Sequence, residues 1–267
     1  MIKKVFYHAV RSFFGSSDQK EKHRALLKIL LTTPKEKLQF LDFTIYFSNF
    51  SSVTFLLEEI FLEEHYKISL PEKNLIIFDC GSNIGLSCLF FKTHFPNAQI
   101  TCFEPNPHSF YYLQRNVSAN RLDKVTCVEK ALGASREKVS FFIDEKHPTS
   151  LANSTLATRM TGSKIEIQQQ QLSSFLKHRV NLVKIDIEGA EYDVLLDLEK
   201  TKTIHLVDHF IIEFHRNIGE KHSLEEFINI LERNQFRVDL PPIDLSPTSA
   251  SEACDLLLRA TNLQIGP

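Results

Sequence analysis

Residues 76–86 read Ile76-Ile77-Phe78-Asp79-Cys80-Gly81-Ser82-Asn83-Ile84-Gly85-Leu86. A short apolar strand, Leu75 to Phe78, meets an acid and then a turn with glycines at 81 and 85. A helical pattern starts at Leu86 and runs to Thr93, stopped near Pro96. The same rhythm continues downstream. Strands are expected at Gln99–Phe103, Val125–Val128, Val139–Ile143, Ile165–Gln168, Val180–Ile185 and within Ile204–Phe214. Helices are expected at His108–Asn120, Ala190–Leu198 and Ser223–Asn234, the last with a Ser-x-x-Glu capping box at Ser223 and Glu226. Phe236–Leu240 and Asp255–Arg259 read as a closing pair. Strands alternating with helices give an open, largely parallel α/β sheet covered on both faces. Such sheets bind ligands beyond the carboxyl ends of their strands.

The glycine turn sits at such an end. Gly81 and Gly85 permit tight turning and close approach of a ligand, and Asn83 is a residue type that tolerates a left-handed backbone. The spacing is G-x-x-x-G, which disfavours a nicotinamide dinucleotide and its G-x-G-x-x-G turn. Asp79 would repel a pyrophosphate but suit a cationic amine. The next strand ends in Glu104, followed by Pro105-Asn106-Pro107. An acid there is placed to accept both hydroxyls of a ribose, although it would also serve as a cap for the following helix. A carboxylate for an amine, glycines for close approach and a carboxylate for a ribose together fit S-adenosylmethionine.

Composition narrows the remaining classes. The 267 residues carry a formal net charge of −2, with 43% apolar and 24% charged residues. No basic excess argues for a nucleic-acid partner. No apolar run reaches the ~20 residues of a membrane span. Five cysteines (80, 88, 102, 127 and 254) form no CxxC pair, and read as buried reduced thiols of a cytoplasmic protein. Ahead of the sheet, Ile2 to Phe14 has apolar residues at helical spacing with Lys3, Lys4 and Arg11 opposite. Asp18 is the expected cap of a second helix running to Leu31, and a third is expected over Val53–Tyr66. The first helix is expected to pack on its own domain or a partner subunit, ahead of a peripheral membrane contact through residues 1–14.

A third acid-ended strand is Val183-Lys184-Ile185-Asp186-Ile187-Glu188-Gly189-Ala190-Glu191, in which Lys184 and Asp186 share a side because side chains alternate. With DCGSNIG, FEPNP and IIEFH, this string resembles the FkbM-type methyltransferases, a branch of the class I S-adenosylmethionine-dependent family, over about residues 40–215. The resemblance implies a Rossmann-like, seven-stranded sheet with the last strand antiparallel. It implies methyl transfer to a hydroxyl on a sugar, glycan or natural-product scaffold. It divides the chain into an N-terminal helical extension, 1–70, and a methyltransferase domain, 71–267. It assigns Asp79, Gly81, Asn83, Gly85 and Glu104 to the cofactor, Asp186 to the neighbourhood of the transferred methyl, and Glu213 and His215 to the end of the fifth strand.

An alcohol becomes a good nucleophile when a base takes its proton. His215 is the first candidate, because imidazole titrates near neutrality; Asp186 is the other base or the group that orients it. Glu188, Glu213 and Lys184 are expected on the acceptor, Lys184 equally as support for its strand. No metal is expected, the rival being a divalent ion on Asp186, Glu188, Glu213 and His215. A catalytically weak scaffold serving as an interaction module is the non-enzyme alternative. The hydroxyl-rich stretch Asp144–Lys164, with Ser150, Asn153, Ser154, Thr155 and Thr158, is a candidate acceptor wall. The acceptor itself and the oligomeric state are not legible.

Overall fold

The computed structural model describes residues 2–71, 74–146, 148–151, 163–215, 223–240 and 255–265. Its centre is a seven-stranded sheet built from β3 (Ile76–Cys80), β4 (Gln99–Phe103), β5 (Val125–Val128), β9 (Val180–Ile185), β10 (Val207–Phe214), β11 (Phe236–Asp239) and β12 (Leu256–Asn262). The spatial order is β5-β4-β3-β9-β10-β12-β11. Strands β3, β4, β5, β9 and β10 pair in parallel, and β12 runs antiparallel to both β10 and β11. The chain leaves β3 for β4 on one side and returns to β9 on the other. The point where strand order reverses is therefore the carboxyl end of β3, where Gly81 stands.

Period-two alternation sorts the strand residues onto two cores. Ile77, Ile100, Leu182 and Ile211 face α4 (Leu86–His94) and α5 (Pro107–Ala119). Phe78, Phe103, Val183 and Phe210 face α6 (Glu191–Lys200) and α7 (Leu224–Arg233). Pro107 opens α5 where a missing N–H costs nothing, and Asn106 caps it. Ser223 and Glu226 close the capping box of α7. Cys80, Cys88 and Cys102 are buried free thiols and Cys127 is half-buried; Cys254 lies outside the described residues.

The segment before the sheet differs in detail from the sequence expectation. It holds α1 (Ile2–Arg11), α2 (Ser17–Thr32), a hairpin of β1 (Lys37–Phe40) and β2 (Phe43–Tyr46), and α3 (Phe50–Leu57). Ser16, not Asp18, caps α2 by accepting from the Gln19 amide; Asp18 instead pairs with Lys22 at 2.7 Å. Asn49 caps α3, and residues 58–62 continue it as a π-helical turn. Leu26, Ile29, Phe40, Ile45, Val53 and Phe61 share one core with Ile77, Leu89 and Phe90, so this segment covers the α4 face of the sheet. A smaller sheet of β6 (Ala131–Leu132), β7 (Lys138–Ile143) and β8 (Ser163–Gln170) follows β5.

Candidate active site

A cavity of about 480 Å³ opens at the carboxyl ends of β3, β4, β9 and β10, within the range typical of small-molecule sites. The glycine turn, the end of β4 and the 186–190 loop supply one wall. Phe55, Leu56, Glu59, Ile60, His65 and Tyr66 supply another, from the segment in which sequence reading found no motif. Lys130, Ala131, Leu132, Phe141, Ser150 and Leu151 line it beyond β5. Of the hydroxyl-rich stretch, Ser150 reaches the cavity; Asn153, Ser154, Thr155 and Thr158 lie outside the described residues.

Glu104 is buried at the end of β4. Its Oε2 accepts the Asn83 amide and its Oε1 the Asn106 amide, each at 2.8 Å. One N–H on each oxygen leaves further lone pairs for a ligand. Burial raises its pKa to about 7, against the pull of those two amides. Next to it in the cavity wall, Ser109 Oγ is buried and has no hydrogen-bond partner among the described residues. Asn83 holds a left-handed φ of 47°, its side chain accepting the Ile84 amide. Carboxylate and hydroxyl thus present acceptors and a donor to the same cavity, which fits the two hydroxyls of a ribose.

Four of the expected site residues are engaged by the protein itself. Asp79 is fully buried beneath the turn, off the cavity wall. Its Oδ2 accepts from Ser87 Oγ at 2.6 Å and its Oδ1 lies 3.5 Å from Lys184 Nζ. In this position it braces the turn through Lys184. Lys184, 2% exposed, donates to the Gly81 carbonyl at 2.8 Å and lies 3.2 Å from Asp186. The cation is consumed by the protein, which favours strand support over acceptor binding. Gly81, at φ 83°, would place a Cβ 1.7 Å from the Asp186 carbonyl oxygen. The close approach it permits is to its own chain, not first to a ligand. Gly85 starts α4 at φ 93° against Leu113 and lies off the cavity wall.

Asp186, Glu188, Glu213 and His215 all line the cavity. His215 Nδ1 lies 2.8 Å from Glu191 Oε1, and Nε2 lies 3.2 Å from Glu188 and 3.7 Å from Asp186. A neutral imidazole has one N–H, so one ring nitrogen would turn a lone pair on a carboxylate. Only the imidazolium satisfies both sides. Burial opposes that charge, but Glu191, Glu188 and Asp186 outweigh it and raise the pKa to about 10. Asp186 is held below the usual carboxylate range: burial works against ionisation, and Lys184 and His215 overcome it. Half-buried Glu213 is pushed up to about 8, first by desolvation and then by the charge of Asp186.

Two contributors escaped sequence reading. Glu191 Oε1 also accepts the Gly189 amide at 3.0 Å, folding the 186–190 loop around a buried carboxylate. The EGAE string offers that acid but not its target. Tyr66, 2% exposed, donates to Asp186 Oδ2 at 3.3 Å from 120 residues away in sequence; no local signal marks it.

Comparison with known proteins agrees with this geometry. The family model of the methyltransferase FkbM domain matches residues 79–238, more than half of the chain. The chain is 30% identical over 239 residues to Methyltransferase 1 of Beauveria bassiana, covering 79% of this chain and 93% of that protein. It is 28% identical over 192 residues to the 31-O-demethyl-FK506 methyltransferase FkbM of Streptomyces tacrolimicus, covering 58% and 72%. The crystal structure of methyltransferase FkbM from Methylobacillus flagellatus KT shares the fold, with a TM-score of 0.51 and 15% identity over 97% of this chain and 58% of that one. The chain is a methyltransferase and belongs to the FkbM family.

Proposed function

We propose that this enzyme transfers a methyl group from S-adenosylmethionine to a hydroxyl oxygen on a sugar, glycan or natural-product scaffold. The observation that carries the proposal is one cavity that joins Glu104 and Ser109 at one end to Asp186, Glu188 and His215 at the other. A relative named as a 31-O-demethyl-FK506 methyltransferase supports transfer to oxygen. When bound, the cofactor supplies a methyl carbon already activated by its sulfonium. The chain's own task is then positioning and proton removal.

Glu104 and Ser109 hold the ribose, and Phe103, Pro105, Ala131 and Leu132 offer an apolar wall to the adenine. Excess carboxylate over the cations Lys184 and His215 favours a positively charged ligand at the far end. Asp186, ionised and on the wall, would take the hydroxyl proton as the methyl group passes from sulfur to that oxygen, the methyl–sulfur bond breaking to leave a neutral thioether. His215, fixed as an imidazolium between Glu191 and Glu188, orients Asp186 and the acceptor oxygen. The base role thereby passes from His215 to Asp186. One observation favours a second reading: ligand atoms of Asp186, Glu188 and His215 all lie within 4.8 Å of one another and offer a divalent ion an oxygen-rich set with one nitrogen.

The test is incubation with methyl-labelled S-adenosylmethionine and hydroxyl-bearing glycan and lipid extracts, followed by mass spectrometry of the labelled product. Label on an oxygen, unaffected by EDTA, is expected. Activity lost in EDTA and restored by magnesium or manganese would give the Asp186 cluster to a metal. Absence of cofactor binding by calorimetry would sink the proposal.

The cofactor half has its own check. Glu104→Ala removes a charge-assisted acceptor worth ~1.5–3 kcal/mol, so cofactor affinity should fall by about 10- to 150-fold. Because Glu104 also holds the Asn83 and Asn106 amides, a melting curve must accompany the titration. Unchanged affinity in a folded variant would place the ribose elsewhere.

A further inference from the structure

Helix α1 is seated with its apolar face outward. His8 and Ser12 are buried and Val5 half-buried against the body. His8 Nε2 meets Glu58 Oε1 at 2.9 Å, and Lys4 pairs with the same glutamate. At 100° per residue, Val5, His8 and Ser12 define the inner face, and Ile2, Phe6, Val10 and Phe13 form a stripe turned roughly 90–170° away from it. Those four are 86%, 71%, 41% and 73% exposed, and Phe14 beside them is 63% exposed. Of the two sequence expectations, packing on its own domain or on a partner subunit, the first does not hold for the apolar stripe: polar side chains anchor the helix and the stripe faces solvent. A contiguous patch of this kind marks an interaction surface, unlike scattered apolar residues.

We propose that this face docks the enzyme on an anionic lipid surface. Charge selects that occupant. Residues 1–17 contain Lys3, Lys4 and Arg11 and no acid, in a chain whose net charge is −2. Lys4 is engaged by Glu58 and Arg11 stacks over the half-exposed Tyr7 ring at 5.6 Å; Lys3 is exposed at the rim. Aromatic and branched residues on one side with basic residues at the margin are the chemistry of a helix lying in a headgroup layer. No helix among the described residues is long and apolar enough to cross a membrane, so the contact is peripheral. The helix also stands beside the active site: Glu58, its anchor, adjoins Glu59 and Ile60 of the cavity wall. The inference does not depend on the methyl acceptor.

The full chain is incubated with phosphatidylcholine vesicles, with and without phosphatidylserine, and sedimented. Binding to the anionic vesicles is expected, weakening as salt rises. The double variant F6S/F13S, both sites exposed and outside the cavity, should lose at least about tenfold in partitioning while keeping its melting temperature and cofactor affinity. Lys3→Glu should weaken binding to anionic vesicles alone. Wild type remaining in the supernatant, or F6S/F13S sedimenting equally, overturns the proposal. So does a concentration-dependent dimer abolished by F6S/F13S without vesicle binding, which would assign the face to a second copy of the chain.

Discussion

Asp186→Asn is expected to lower kcat by about 10²–10⁴-fold, the usual span for a general base, with cofactor affinity close to wild type. Asparagine keeps the shape of the side chain and can still meet Lys184 Nζ and the Tyr66 hydroxyl, which contact Asp186 at 3.2 and 3.3 Å. It cannot accept a proton. The pH profile separates the two candidate bases. Asp186 is ionised throughout the neutral range, so wild-type kcat should show no sustained climb there, only the limited steps that Glu104 near 7 and Glu213 near 8 introduce. If neutral His215 were the base, kcat would climb one decade per pH unit toward about 10, where its imidazolium discharges. That climb would return the role to His215. Linkage fixes the window in which the profile is safe. A raised histidine pKa contributes stability that is whole below 6.5 and lost as pH rises through about 10. Folding must therefore be monitored on the alkaline side, where a fall in rate reports unfolding rather than chemistry.

The sheet and its acids were legible because each strand end writes its own signal. An apolar run, an acid and a turn recur at Asp79, Glu104 and Asp186, and the strand-end rule brings them together without knowledge of any contact. What the acids do there was less legible. Asp79 pairs with Cys102 inside the β3–β4 ladder while Glu104 lies two positions further along, past the end of β4, and one is sealed under the turn by Lys184 and Ser87 whereas the other faces the cavity. The difference is three-dimensional: Asp79 stands opposite Lys184 in the β3–β9 register, and nothing local to either residue announces that pairing. His215 shows the same limit. Its type suggested a neutral base, but three carboxylates from one string, brought over by the turn into α6, make it a cation. The wall from Phe55 to Tyr66 has no motif at all. It depends on a π-helical turn at 58–62 that re-aims Glu59 and Ile60, and helical periodicity averages such a turn away. In α1 the periodicity marked the apolar stripe but not its partner, because such a stripe does not say whether it is covered by the same chain.

Gly81 gives the sharpest test of that distinction between contact with a ligand and contact with the fold. A Cβ there would stand 1.7 Å from the Asp186 carbonyl oxygen and 2.8 Å from its carbonyl carbon, both backbone atoms. The Asp186 amide is tied to the Cys80 carbonyl at 3.1 Å, and the Gly81 carbonyl to Lys184 at 2.8 Å. Neither strand end can retreat without opening the end of the β3–β9 ladder. The left-handed φ of 83° adds ~1–2 kcal/mol for any L side chain. Gly81→Ala should consequently cost about 4 kcal/mol or more, in the range kept for strain and core overpacking, and lower Tm by roughly 8–16 °C at this chain size. Gly85→Ala is the control. Its φ of 93° carries the same backbone penalty, but the nearest atom, at 2.8 Å, is Leu113 Cδ1, the tip of a side chain that can rotate away. Its loss should stay near ~1–2 kcal/mol. Paired melting curves decide the matter. A Gly81→Ala variant as stable as Gly85→Ala, defective only in cofactor binding, would show that a ligand and not the Asp186 backbone requires the glycine.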